Sequence, residues 1–260
     1  MSFDQGTLAR YAELACSKVL EAASKEQVFE VPFRHVVVDD FLPRNLAELC
    51  LSMFPKVSEP GWEFANDADI EVKYRSTWRS EFDIPDGIID AVRILNSAIF
   101  LRAMSDAMRI EKIVPDPYFT GGGLNVTTRG GLLDVHVDGN YHDATGLNRR
   151  LNAILYLNPE WQSDWGGELG LYDAAGANCV KKIAPTFNRL VLFDSHDHSF
   201  HGLPEPVNFP ASEPRRSIIL YYYTMAERPR EQVVVAEPHS ALWKKRGVRD
   251  KKGGRARKVS

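Results

Sequence analysis

Between residues 5 and 110 the apolar positions recur at three- and four-residue spacing, whereas beyond Gly122 they shorten into runs split by turn residues. From Gln5 to Lys25, the residues Leu8, Tyr11, Ala12, Ala15, Val19, Leu20 and Ala23 fall on one stripe, which predicts an amphipathic helix. Phe33 to Phe41 is apolar and β-branched at its centre, Val36-Val37-Val38, and predicts a strand. Pro43 then opens a helix carrying Leu46, Leu49, Leu51 and Met53 that ends before Pro55. Asp83 to Ile110 predicts one or two further helices, opened by Pro85 and carrying Ile88, Ile89, Val92, Leu95 and Ile99; they brace a sheet.

The second half predicts that sheet. Leu124 to Val126, Gly131 to Val135, Leu151 to Leu157, Glu168 to Tyr172, Cys179 to Ile183, Arg189 to Phe193, Ser199 to Leu203 and Ser217 to Thr224 are candidate strands. Asn158-Pro159, Gly166-Gly167, Ala174 to Gly176, Pro185 and the Pro204 to Pro214 loop separate them. Many short strands at even spacing, behind a helical front, indicate a mainly β fold with flanking helices and a jelly-roll core. Such a core has a mouth where ligands bind.

Composition narrows the setting. A chain of 260 residues with 44% hydrophobic content buries a full core within one elaborated domain. No apolar run approaches the roughly 20 residues of a membrane span, and Met1-Ser2-Phe3-Asp4-Gln5 lacks an export pattern, so a cytoplasmic protein is expected. Cys16, Cys50 and Cys179 are odd in number, far apart and without metal-ligand spacing, and read as inert thiols. From Lys244 to Ser260, nine basic residues face one acid, so the net charge of −3 divides into +8 there and −11 before it. This tail is expected to be disordered and solvated; without interleaved aromatic residues it makes a poor nucleic-acid ligand.

The chemistry enters at His136-Val137-Asp138, where the extended run 131–135 leads straight into His136 and Gly139 follows Asp138. By composition about one His-x-Asp/Glu is expected by chance in such a chain, so its setting carries the weight. Residues i and i+2 of a strand share a face, which lets His136 and Asp138 reach one ion. A second imidazole follows at His196, His198 or His201, and Arg215-Arg216-Ser217 comes next. Two imidazoles and a carboxylate on one side of a metal leave the other side open, the arrangement of oxygen-activating non-haem Fe(II) sites. On a strand, Arg215, Ser217, Ile219 and Tyr221 share one face and Arg216 and Ile218 the other, so Arg215 with Ser217 makes the better carboxylate cradle.

The ordered set His136-Val137-Asp138, Leu151 to Asn158 with Trp161, Gly166-Gly167-Glu168-Leu169, Asn188 to Phe193, His201, and Arg215 to Thr224 resembles the prolyl 4-hydroxylase-like branch of the 2-oxoglutarate and Fe(II)-dependent dioxygenases. The likeness covers roughly residues 115–225, with a weaker echo at Phe33 to Phe41. It implies a double-stranded β-helix, with residues 1–114 as support, 115–230 as the core, and one domain over 1–243 ahead of the tail 244–260. It implies metal ligands His136, Asp138 and His201, with Arg215 on the far carboxylate of 2-oxoglutarate and Tyr156 offering its phenol to the same group. Asn152 shares the Tyr156 face and is a candidate for cosubstrate or substrate, or a structural amide; Asn125 and Thr127 are weaker candidates.

The resemblance further implies Fe(II), 2-oxoglutarate and O2, decarboxylation to succinate, and hydroxylation of an unactivated C–H. Asp138 favours hydroxylation over halogenation, since halogenating relatives replace this carboxylate with a small residue. The implied substrate is a prolyl or other amino-acid side chain in a peptide; a free amino acid or other small metabolite is the alternative, and a non-catalytic metal-binding sensor the competing class. Loops at Arg129-Gly130-Gly131, Asn140 to Arg150 and Gln162 to Trp165 are expected at the mouth. His142 reads as a solvated loop residue, with a place facing substrate as the alternative, and His35 and His239 as uninvolved in catalysis. The acidic body argues against nucleic acid as a partner, and the amphipathic front helices offer a surface for a homo-oligomer.

Overall fold

The computed structural model describes residues 2–25, 27–244 and 249–250. Four α-helices form the front: α1 Gln5–Ser24, α2 Arg44–Ser52, α3 Ile88–Leu95 and α4 Ala98–Met108. Asp4 caps α1 by accepting from the Thr7 amide, and Ser97 caps α4 by accepting from Phe100. The strands are β1 Val28–Phe29, β2 His35–Val38, β3 Trp62–Asp67, β4 Glu71–Ser76, β5 Val114–Pro115, β6 Gly123–Thr127, β7 Leu132–Val137 and β8 Asn148–Tyr156. Then follow β9 Leu169–Tyr172, β10 Cys179–Ile183, β11 Arg189–Asp194, β12 His201–Leu203, β13 Arg215–Thr224, β14 Leu242–Trp243 and β15 Arg249–Asp250. Among the described residues no helix is long and apolar enough to cross a membrane.

These strands form one curled, antiparallel sheet in the order β1-β2-β11-β8-β13-β6-β4-β7-β12-β9-β10. It is the jelly roll that the strand pattern predicted, in the double-stranded β-helix form that the resemblance implied. Alternation along each strand explains its two sides. Leu151, Ala153 and Leu155 of β8, Leu190 and Leu192 of β11, and Ile218, Leu220 and Tyr222 of β13 face the helices and join Ala15, Leu46, Ile88 and Phe100 in the main core. Their neighbours Ile154, Tyr156, Val191 and Phe193 face inward, against Leu169 and Leu171 of β9.

Several elements depart from the pattern expected from sequence, among them the two-residue strands β1, β5, β14 and β15. The hairpin β3–β4 was not anticipated, and the strand foreseen at Phe33 to Phe41 is confined to His35–Val38. In β4 the charged set Glu71, Lys73 and Arg75 alternates with Val72 and Tyr74, and the charged side faces the interior cavity. A strand whose inward face is ionic has too few apolar positions to declare itself. Of the tail 244–260, the structure describes Lys244 and the backbone pairing of β15 with β14; the expectation of disorder otherwise lies outside the described residues.

Strand β7 runs between β12 on one side and two distant segments on the other. Its start pairs with β4 (Leu133 with Glu71), and its end pairs with β14 (His136 with Trp243). Between them the Asp134 amide donates to Ile70 and the Lys244 amide to Val135, at 2.7 and 2.8 Å.

Candidate metal centre and cavity

His136 sits near the end of β7, directly opposite His201 on β12, and Asp138 follows one residue beyond the strand. Each offers one ligand atom, and these atoms lie within 4.8 Å of one another. His136 Nε2 is 3.7 Å from Asp138 Oδ1, and His201 Nε2 is 3.7 Å from Asp138 Oδ2. All three are buried.

The imidazoles are held in one tautomer. His136 Nδ1 lies 2.8 Å from the Asp134 carbonyl, and His201 Nδ1 lies 2.9 Å from that of Ser199. A carbonyl only accepts, so each Nδ1 carries the proton and each Nε2 turns a lone pair to the shared point. Burial, reinforced by His136, draws the His201 pKa down to about 4, which keeps the ring neutral at pH 7. For Asp138, burial works against the charge, but His201, His136 and Arg149 outweigh it and hold the carboxyl well below the usual range. Two neutral nitrogens and an ionised oxygen are the donor set that suits a divalent iron.

Asn152 on β8 donates through Nδ2 to Asp138 Oδ2, and Arg149 Nη1 lies 3.5 Å from Oδ1. Asn152 therefore reaches the carboxylate ligand rather than the cradle at Arg215. The guanidinium of Arg149 also lies 3.8 Å from the centroid of the Tyr221 ring and donates to the Tyr223 hydroxyl at 3.2 Å. Replacing Asn152 with Ala frees one carboxylate oxygen to rotate, and Fe(II) affinity is expected to fall roughly 10- to 100-fold. Metal titration of the two proteins checks this; unchanged affinity would leave Asn152 a spacer only.

Arg215, buried at the start of β13, lines the same cavity. Its Nε donates to the Gly167 carbonyl at 2.8 Å and its Nη2 to the Tyr156 hydroxyl at 3.3 Å. Gly167 is required here: φ is +78°, and a Cβ would meet the Phe209 ring at 2.8 Å and Arg215 Cδ at 3.1 Å. Ser217 lies beside Tyr156 across the strand pair, and its Oγ is buried without a hydrogen-bond partner. Burial raises the Tyr156 pKa, with Arg215 opposing, so the phenol keeps its proton as a donor. Arg216 faces the other way and pairs with Glu213 at 3.1 Å.

Several site residues had no sequence signal. Glu71, Lys73 and Arg75 line the cavity from β4, as do Tyr223 from β13 and His239, Ser240, Ala241 and Trp243 from the C-terminal segment; Tyr221 also lines it, on the face expected to carry Arg215 and Ser217. Trp243 stacks on His136, with ring centroids 4.5 Å apart. Lys73 pairs with Glu71 at 3.2 Å; burial, then the nearby Arg75, pulls its pKa down to about 7. Of the loops expected at the mouth, only Tyr141, Asp143 and Arg149 of the 140–150 stretch line the cavity. The Gly130 amide bonds to Val207 and the Trp165 ring packs on Phe209, away from it.

His142 is not solvated but buried, with Nε2 2.8 Å from Asp116 Oδ1 and Nδ1 accepting from the Ala144 and Thr145 amides. It pins the 141–147 loop to the 116–120 loop. His196 and His198 lie outside the three-residue cluster, and the His196 ring meets Phe33 edge-on.

The C-terminal segment is anchored close to both ligand loops. Asp197 accepts from Arg228 Nη1 at 2.8 Å and from the amides of Val234 and Val235, with His239 Nε2 at 3.4 Å. Gln232 donates to Asp194, and Asn140 donates to the carbonyls of Val235 and Glu237. Gly139 lets the segment pass, since a Cβ there would lie 2.8 Å from the His239 carbonyl oxygen.

Residues 122–223 match the model of the 2OG-Fe(II) oxygenase superfamily. Among curated proteins, the chain is 38% identical over 86 residues to prolyl 3-hydroxylase OGFOD1 of Mus musculus, a match spanning 32% of this chain and 15% of that protein. Among solved structures, it is similar to a prolyl hydroxylase from Trichoplax adhaerens in complex with a hypoxia inducible factor peptide fragment, at TM-score 0.57 and 20% identity over 85% of this chain and 94% of that one. A Pseudomonas putida prolyl-4-hydroxylase gives TM-score 0.53 and 19% identity over 81% and 98%. At these identities the solved structures speak for the fold.

Proposed function

We propose that this chain, whose residues 122–223 match the model of the 2OG-Fe(II) oxygenase superfamily, is a dioxygenase of that kind that hydroxylates a prolyl residue of a peptide or protein. The observation that carries the reading is the presence, in one cavity, of the His136-Asp138-His201 cluster and the Arg215-Tyr156-Ser217 cradle. O2 is the oxidant of the hydroxylation; Fe(II), when bound, would activate it, and 2-oxoglutarate would give two of the four electrons O2 takes up, the substrate C–H giving the other two. The chain's own residues hold and place the reactants.

His136, Asp138 and His201 would hold the metal. Arg215 presents a buried guanidinium to the far carboxylate of the keto diacid, while Tyr156 and Ser217 supply hydroxyls beside it. Asn152 and Arg149 keep the Asp138 carboxylate oriented and ionised. Tyr141, Tyr221 and Tyr223 line the same cavity and offer aromatic surface against which a compact, apolar pyrrolidine ring can pack. The similarity to prolyl hydroxylases supports that choice of side chain.

Anaerobic titration of the Fe(II)-loaded protein with 2-oxoglutarate should give a visible metal-to-ligand charge-transfer band. Proline-containing peptides should then gain one oxygen by mass spectrometry as succinate accumulates. Succinate formation with no proline-dependent oxygen gain would remove the prolyl substrate while keeping the oxygenase. Arg215→Met leaves the dianion without its guanidinium, at a cost on the order of 2–4 kcal/mol, so the 2-oxoglutarate Kd should rise roughly 30- to 700-fold. An unshifted Kd would move the cosubstrate away from this cradle.

A further inference from the structure

We propose that Lys73 is a second cationic contact for the far carboxylate of the keto diacid, on the same cavity wall as Arg215 and two strands away from it; this rests on the cosubstrate reading above. The strand order β13-β6-β4 and its registers carry it. Arg215 pairs with Thr127, while Tyr74 pairs with Val126 and Arg75 with Asn125. The register therefore sets Lys73 beside Thr127, and Arg215, Thr127 and Lys73 form one row across three neighbouring strands. All three line the cavity.

The surroundings support a ligand rather than a self-contained ion pair. The Lys73 side chain is 13% exposed and Glu71 only 5%, at 3.2 Å. A buried Lys–Glu pair adds little stability over apolar residues of the same volume, so folding alone gives it no reason to be there. An ammonium has three donors, more than the one carboxylate oxygen at 3.2 Å takes up. The other cations near the centre are engaged: Arg75 pairs with Glu63 at 2.6 Å and Arg149 with Asp138 at 3.5 Å. In the neighbouring row, Ser217 Oγ and Asn125 Oδ1 are buried without partners, which marks this end of the cavity as built for a polar occupant. Lys73 then joins Glu71 to the dianion, so that the Glu71 charge does not repel it.

The test is calorimetric binding of 2-oxoglutarate to the Mn(II)-loaded protein. Lys73→Met should raise Kd roughly 10- to 100-fold, the loss of one charged hydrogen bond, and Lys73→Arg should recover most of it. Pairing Lys73→Met with Glu71→Gln should leave binding equally weak. The monoacid 2-oxopentanoate, which lacks the far carboxylate, should bind wild type and variants alike. Wild-type affinity in Lys73→Met overturns the proposal. So does recovery in the double variant, which would mean that Lys73 only neutralises Glu71. Wild type that fails to bind 2-oxoglutarate at all sinks the cosubstrate reading instead, a separate result. If Lys73→Met alone does not fold, the neutral double variant carries the same comparison.

Discussion

Asp138→Ala should abolish turnover and lower Fe(II) affinity by at least ~100-fold, beyond what the loss of an outer hydrogen-bond partner costs. Two effects act together. The cluster loses its only negative donor, leaving two neutral imidazoles to face a dication. The Arg149 guanidinium, 3.5 Å from the carboxylate in the native protein, then becomes an uncompensated buried cation beside the metal. Metal content after dialysis against Fe(II), measured with the circular dichroism spectrum to establish folding, decides the matter. A folded Asp138→Ala protein that still binds one iron with native affinity would show that the metal, if any, sits elsewhere.

Asp197→Ala should be strongly destabilising although it lies outside the metal cluster. It strips Arg228 of its buried partner and leaves the Val234 and Val235 amides unsatisfied. Breaking a buried ion pair from one side costs about 3–5 kcal/mol. For a chain of this size each kcal/mol corresponds to about 2–4 °C, so Tm should fall by roughly 6–20 °C in a thermal melt. A fall of under ~2 °C would mean that the network contributes little. The same carboxylate predicts a pH signature. Burial opposes its charge, but the His239 ring, the two amides and Arg228 outweigh it and hold the pKa at about 2, below the ordinary 3.8. The stabilisation is therefore complete above pH 3.8 and lost as pH falls toward 2, a limb of the stability profile that Asp197→Ala should lack.

How much of this was legible beforehand follows physical lines. The strands β8, β11 and β13 alternate strongly between apolar faces, and each was read to within three residues of its observed bounds. The meeting of His136 and Asp138 was readable because strand periodicity puts i and i+2 on one side, and the inward face of Arg215 was separable from that of Arg216 for the same reason. What escaped reading has charge where a core strand normally has apolar residues, as in β4, or is too short to show any period, as in β14. Trp243 gave no signal, and Arg149 none beyond its place in a loop expected at the mouth, because their exact positions come from register and chain return, which are tertiary facts. His142 was misread because polar neighbours suggest solvent, whereas Asp116, distant in sequence, takes up its ring nitrogen.

The flanking of β7 by segments from both sides of the matched region has a consequence for any minimal fragment. Cutting the chain to residues 122–223 would discard β4 and β14 together and leave one long side of the ligand-bearing strand with bare amides and carbonyls. Such an open margin templates intermolecular pairing, so a trimmed core would tend to self-associate through the very strand that carries His136. The region of family likeness is thus smaller than the smallest piece able to stand alone.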